Sequence, residues 1–156
     1  MKLHSLLEED MILSRLEARD RAGVLEEMVA RLENGSKVSP REAVLDKLLK
    51  REEMGTTAIG RGVAVPHCRA GGVKDPVLLL GLSEEGVAFG SSDGKPSHAF
   101  FLLVSPQDNP NVSLRVLAAI AALTRRSRGL ASKLLRAEEP ARVLETLRAE
   151  EEKARA

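Results

Sequence analysis

Hydrophobic and polar positions along the chain separate into helical and extended stretches. Leu25, Met28, Val29 and Leu32 recur at i, i+3, i+4 and i+7, one stripe of a helix. Asp20 stands before them as an N-cap, and Asn34-Gly35 ends the stretch because both residues tolerate a left-handed backbone. Met11 to Leu16 is a short strand candidate. Ser39-Pro40-Arg41-Glu42 starts a second helix: Ser39 caps, Pro40 takes the first helical position and Glu42 completes a capping box. Leu45, Leu48 and Leu49 form its inner face, and the pattern fades over Arg51 to Glu53.

Three apolar runs come next. Val63-Ala64-Val65 is a short strand that ends at Pro66, with His67 at its exit. Val77 to Leu82 and Ala99 to Val104 are continuous, as strands buried on both faces are, and Asp93-Gly94 marks a turn between them. Asn109-Pro110 opens a helix whose stripe is Leu114, Leu117, Ala118 and Ala121. Two more helices are expected over roughly 128–136 and 138–149, with the polar end, residues 150–156, frayed. Buried strands need cover on both faces, and the helices suffice. The pattern predicts an α/β fold: one three-layer domain over residues 1–156, a mixed β-sheet covered by helices on both faces.

Composition narrows the function. The 156 residues carry 24 Lys and Arg against 23 Asp and Glu, a formal charge of +1, so the basic excess of a general nucleic-acid binder is missing. With no Trp, no Tyr and three Phe, base-stacking platforms lack material. The one cysteine, Cys68, excludes an intrachain disulfide and a multi-cysteine zinc site, and no HxxxH or CxxC cluster invites a metal. The longest apolar run, Val116 to Leu123, falls short of the ~20 residues of a membrane span. The start turns acidic too early for a signal peptide. A cytoplasmic protein is expected, with no cofactor, no nucleic-acid partner and no insertion into a membrane.

Three histidines are candidates for chemistry. His4 lies in a short amphipathic piece and His98 opens an apolar strand; packing or edge roles suit both. His67 follows Val-Ala-Val-Pro, where a strand exit can hold a side chain rigidly yet within reach of solvent, as ligand sites in α/β sheets require. On spacing alone, a loop histidine with no task stays open. Cys68 and His67 are adjacent, so their side chains diverge and a Cys–His pair is excluded. The glycine-rich MGTTAIGRG is neither a Walker A loop nor GxGxxG.

Taken together, the segment from Arg51 through Met54-Gly55-Thr56-Thr57-Ala58-Ile59-Gly60-Arg61-Gly62 to Val65-Pro66-His67 closely resembles the active-site signature of the fructose/mannitol-type enzyme IIA proteins of the bacterial phosphoenolpyruvate-dependent phosphotransferase system, which include the nitrogen-regulatory IIA proteins. The resemblance continues through Gly86 to Val104 and the Ser105-Pro106 exit. It implies a phosphohistidine carrier, a transferase component. His67 would accept a phosphoryl group from an HPr-like carrier and pass it to a IIB partner, or hold it as a regulatory mark. Arg51 would stabilise the phosphoryl group, because a guanidinium can bridge two of its oxygens. Gly55, Thr56, Thr57, Gly60 and Gly62 would cradle the same anion with backbone N–H groups. Many members carry a second histidine where Ser113 falls here, so Ser113 would act as a neutral donor in its place. Cys68 stands where the family usually has a small residue, often glycine. A tolerated side chain is one reading of it and a redox-sensitive thiol the other. No IIB or membrane segment is attached, which leans toward the regulatory role over the sugar-transport one. The alternative from another class is a IIA-fold binding module that regulates a partner without phosphotransfer.

Overall fold

The computed structural model describes residues 1–34 and 41–155. Gly35, Ser39 and Pro40, and with them the expected helix stop and capping box, lie outside the described residues. Short 3-10 turns at Leu3–Ser5 and Glu9–Met11 lead into β1 (Ile12–Leu13), a shorter strand than the sequence suggests. Helix α1 (Arg21–Asn34) starts at the expected cap: Asp20 Oδ1 accepts from Gly23 N–H at 2.7 Å and Asp20 O from Val24 N–H at 3.0 Å. Then come α2 (Arg41–Glu53), β2 (Ala58–Gly60), β3 (Val63–Ala64), β4 (His67–Ala70), β5 (Val77–Val87), β6 (Ser97–Pro106), α3 (Pro110–Arg126), α4 (Leu130–Ala137) and α5 (Pro140–Arg155).

The six strands form one mixed sheet in the order β1-β5-β6-β3-β2, with β4 also beside β6. β5 and β6 are antiparallel and central, as two continuous apolar runs require. Side chains alternate between the two faces. Phe100, Leu102 and Val104 pack with Leu25, Met28 and Leu48 of the α1–α2 layer. Phe101 and Leu103 pack with Val116, Ile120, Leu134 and Leu147 of the α3–α5 layer. The expected three layers are present.

Four readings of the sequence need correction. β2 and β4 are strands where the hydrophobic pattern predicted none. The chain does not leave the sheet at Pro66: Val63 and Ala64 lie opposite Ala99 and Phe100, and beyond the gap His67 and Cys68 lie opposite Leu103 and Val104 in unbroken register. Pro66 has no N–H for the ladder, but its carbonyl still accepts from Leu103 N–H at 2.9 Å. The stripe Leu114, Leu117, Ala118, Ala121 is not the inner face of α3; the buried positions are Ser113, Val116, Ile120, Leu123 and Thr124, and Leu114 is 63% exposed. Two stripes of helical period coexist on this alanine-rich helix, and periodicity does not tell which one faces the sheet.

The fourth correction is the C-terminal end. α5 runs on to Arg155, and Glu150 and Glu151 are buried. Glu151 accepts from the backbone of Leu3 at 2.6 Å and His4 at 2.9 Å and pairs with His4 Nδ1 at 2.7 Å, tying the start of the chain down. Glu150 receives Lys133 Nζ at 2.8 Å, Ser127 Oγ at 2.6 Å and Lys153 Nζ at 3.2 Å. Hydrogen bonds from Lys133 and Ser127 hold the Glu150 carboxyl down at about 2 from the ordinary 4.5, against the opposing effect of burial. A carboxyl held low in the folded state stabilises it above the unfolded value, and that contribution fades as pH falls from 4.5 toward about 2. Glu150→Gln is therefore expected to cost on the order of 2 kcal/mol at neutral pH, and urea titrations should show its deficit narrowing as the pH is lowered through that window.

Candidate active site

A cleft of about 720 Å³ opens beside the C-terminal end of β6, between α2 and α3. Side chains alternate along β3 and β4, and Val63 and Val65 pack into the α3–α5 layer, so His67 points the same way. It lines the cleft together with Arg51 from the last turn of α2 and Ser113 from the first turn of α3. The three residues for which the resemblance implies phosphoryl chemistry are thus brought to one cavity by three different elements.

The His67 ring is held by its own backbone: Nδ1 lies 2.8 Å from the Val65 carbonyl oxygen. A carbonyl can only accept, so Nδ1 carries the proton and Nε2 is left with a lone pair. Burial pushes the ring's pKa below 6.5 and the nearby Arg51 guanidinium adds to this, while the bond to Val65 opposes it. The ring is therefore neutral at pH 7, the state in which imidazole is a nucleophile. Arg51 is fixed by a bond from Nη1 to the Gly55 carbonyl at 2.8 Å, which leaves its other N–H groups free to meet an anion. Ser113 is 7% exposed, and its hydroxyl makes no hydrogen bond among the described residues. It does not cap its own helix. Asn109, at the N-cap position, makes no side-chain cap bond either.

The glycine-rich segment lies outside the lining of this cleft. None of Gly55, Thr56, Thr57, Gly60 and Gly62 lines the cleft. Thr57 gives its N–H at 3.2 Å and its hydroxyl to the buried Glu52. The Thr56 hydroxyl bonds the Phe89 carbonyl. Arg61 and Gly62 both have positive φ, 57° and 77°, and form the two-residue turn that joins β2 to β3. Arg61 Nη1 then reaches the Thr124 and Arg125 carbonyls at 3.2 and 2.8 Å, closing the C-terminal end of α3. The glycines build the corner that delivers β3, and Gly55 acts on the site through Arg51.

The remaining candidates resolve as structure. His98 Nδ1 meets the Ser83 carbonyl at 2.9 Å, and its ring packs over Gly62 and Gly86. Cys68 is buried; desolvation raises its thiol to about 11 although Lys47 draws it down, so it stays protonated and is no redox-sensitive thiolate. Sequence reasoning missed Lys47, Lys50 and Met54, which line the cleft with Arg51. Their spacing of i, i+3, i+4, i+7 was a visible signal of one helix face. It missed Arg69 too, which at two positions beyond His67 shares its face of the strand.

Residues 5–150 match the family model "Phosphoenolpyruvate-dependent sugar phosphotransferase system, EIIA 2". The chain belongs to this family. Among relatives of this EIIA domain, the fructose-specific EIIABC component of Bacillus subtilis is 33% identical over 138 residues, 88% of this chain but 22% of the longer protein. The nitrogen regulatory protein of Bradyrhizobium diazoefficiens is 34% identical over 125 residues, 80% of this chain and 81% of its own length. The crystal structure of the IIA-Ntr nitrogen regulatory protein of Neisseria meningitidis superposes with a TM-score of 0.83 at 29% identity, covering 93% of this chain and 98% of that one. The EIIA fold accounts for the mixed sheet and its helical layers. It also fits a component of phosphotransfer, sugar-linked in the first relative and regulatory in the others.

The electrostatics give a direct expectation. Followed by NMR, the His67 ring should titrate below 6.5, and Arg51→Ala should raise its midpoint by removing a neighbouring positive charge. A midpoint at or above 6.5 in the intact protein would contradict the described environment.

Proposed function

We propose that the protein is a phosphohistidine carrier of the phosphoenolpyruvate-dependent phosphotransferase system, with His67 as the acceptor. The observation that carries this reading is the bond from His67 Nδ1 to the Val65 carbonyl, which leaves an unprotonated Nε2 in a cleft shared with Arg51. In the step, the Nε2 lone pair attacks the phosphorus of a phosphohistidine on an HPr-like carrier. The new P–N bond forms as the old one breaks, and the donor imidazole leaves with its electron pair. Charge in the loose transition state sits on the three equatorial oxygens. Arg51 meets two of them with fixed N–H donors, and the Ser113 hydroxyl is available for a third. Nδ1–H donation to Val65 stabilises the phosphorylated ring by holding its proton. The group then passes to a IIB partner or stays as a regulatory mark in the cytoplasm. The fused A, B and C parts in the name of the Bacillus relative support the first course, and the regulatory relatives support the second.

The experiment is incubation with labelled phosphoenolpyruvate, enzyme I and an HPr-like carrier. Label should appear as an acid-labile, alkali-stable phosphoramidate on wild type and be lost in His67→Ala. Persistent label in that variant would overturn the assignment, and no label on wild type would favour the binding module.

Arg51→Ala should slow labelling on the order of 100-fold, the usual cost of losing an electrostatic clamp. Its stability should change by no more than about 1 kcal/mol, because the lost bond lies at the protein surface. Ser113→Ala should slow transfer by on the order of tenfold, the worth of one hydrogen bond to a charged acceptor, without lowering the melting temperature.

A further inference from the structure

The cleft holds more charge and more room than a step from phosphohistidine uses. The donor in that step leaves as a neutral imidazole, and Arg51 with Ser113 meets the phosphoryl oxygens. A volume of about 720 Å³ is instead that of a small-molecule site. Lys47, Lys50 and Arg69 line it besides Arg51, and no Asp or Glu does among the described residues. Of these four cations only Arg51 shifts the His67 ring, so the other three form a separate group. Lys50 is partly neutralised by Asp46 at 2.9 Å. Arg69 is not: it stands on the His67 face of β4, about 7 Å further along the strand. It is exposed, and its guanidinium has no hydrogen bond or ion pair among the described residues. Lys47 reaches over from α2 and donates from Nζ to the Arg69 carbonyl at 3.1 Å, which fixes a second positive charge at the same place. One N–H is used there, and two remain for an anion. The cleft thus offers two anion positions side by side, one at His67 and Arg51 and one at Arg69 and Lys47.

We propose that the cleft also takes a small acyl phosphate as a direct phosphoryl donor, with the phosphoryl group at His67 and Arg51 and the acyl oxygens at Arg69 and Lys47. The proposal rests on the phosphocarrier reading of His67. In the step, the Nε2 lone pair attacks phosphorus. A P–N bond forms as the P–O bond to the acyl group breaks, and the acyl oxygen leaves with the electron pair as a carboxylate. Nδ1 keeps its proton throughout. A carboxylate is stable as an anion at neutral pH, so no general acid is required. What the step does require is stabilisation of the negative charge that grows on the acyl oxygen, and fixed cations beside the phosphoryl position supply it. A donor with a neutral leaving group gains nothing from them. Leu114 and Leu117 offer apolar surface in the same cleft for a short acyl chain.

The test uses the purified chain alone, without enzyme I or an HPr-like carrier, and two small labelled donors. Acetyl phosphate releases a carboxylate; inorganic phosphoramidate releases neutral ammonia. Acetyl phosphate should label wild type with a rate that saturates in donor concentration, and the label should be acid-labile and lost in His67→Ala. The ratio of the two labelling rates is the second readout, so damage to His67 or to the fold cancels. Arg69→Gln should lower the ratio of acetyl phosphate to phosphoramidate labelling on the order of tenfold, the worth of one hydrogen bond to a charged group. A ratio left unchanged or raised by Arg69→Gln overturns the proposal, as does acetyl phosphate label that persists in His67→Ala. If phosphoramidate or a phosphorylated HPr-like carrier labels His67 and acetyl phosphate does not, the proposal falls and the phosphocarrier reading stands. Failure of all three donors on wild type removes the phosphocarrier reading and the acyl phosphate proposal with it.

Discussion

Strand β6 has β5 antiparallel on one side and β3 and β4 parallel on the other, and the second pairing is the constraint that places His67. The chain crosses Pro66 without changing register, so the histidine sits opposite Leu103 rather than on a free loop. Pro66 interrupts the ladder, and the backbone there can turn the Val65 carbonyl toward the His67 ring. A loop histidine would sample several rings and both tautomers. A histidine in register with a buried central strand, bonded to its own backbone two residues earlier, has one orientation and one free nitrogen.

The rest of the site is arranged around that nitrogen by elements with separate structural duties. Just beyond the end of α2 the Gly55 carbonyl fixes Arg51, and the buried Glu52 holds Thr57 so that the chain turns toward β2. The turn of Arg61 and Gly62 sends β3 along β6, and Arg61 locks it to the end of α3. The far end of α3 is thereby tied to the corner that precedes His67, while its first turn contributes Ser113 to the cleft. On the proposed phosphocarrier reading, a neutral imidazole beside a guanidinium is the resting state required: the positive charge would await the phosphoryl oxygens, and it discourages protonation of the His67 ring.

Much of this was legible in the sequence. The apolar runs around Leu80 and Phe101 identified the central strands, Asp20 marked a helix start, and the two ends of the signature, Arg51 and His67, share the cleft. What stayed hidden depended on tertiary context. Two stripes of helical period run along α3, and only packing against the sheet selects Val116 and Ile120 over Leu114 and Ala118. The hairpin corner at Arg61-Gly62 was hidden among the glycines, because a hairpin corner and a phosphate loop need the same left-handed backbone. Glu150 and Glu151 looked like a frayed end because sequence cannot show that Lys133, Ser127 and the first residues of the chain will meet them. The strand after Pro66 was invisible because proline usually ends one.

Nitrogen NMR of the His67 ring, before and after phosphorylation, tests the central claim most directly. The Val65 bond requires Nδ1 to carry the proton in the resting protein and the phosphoryl group to appear on Nε2, with Nδ1 still protonated. A resting ring protonated at Nε2, or a phosphoryl group attached to Nδ1, would contradict it.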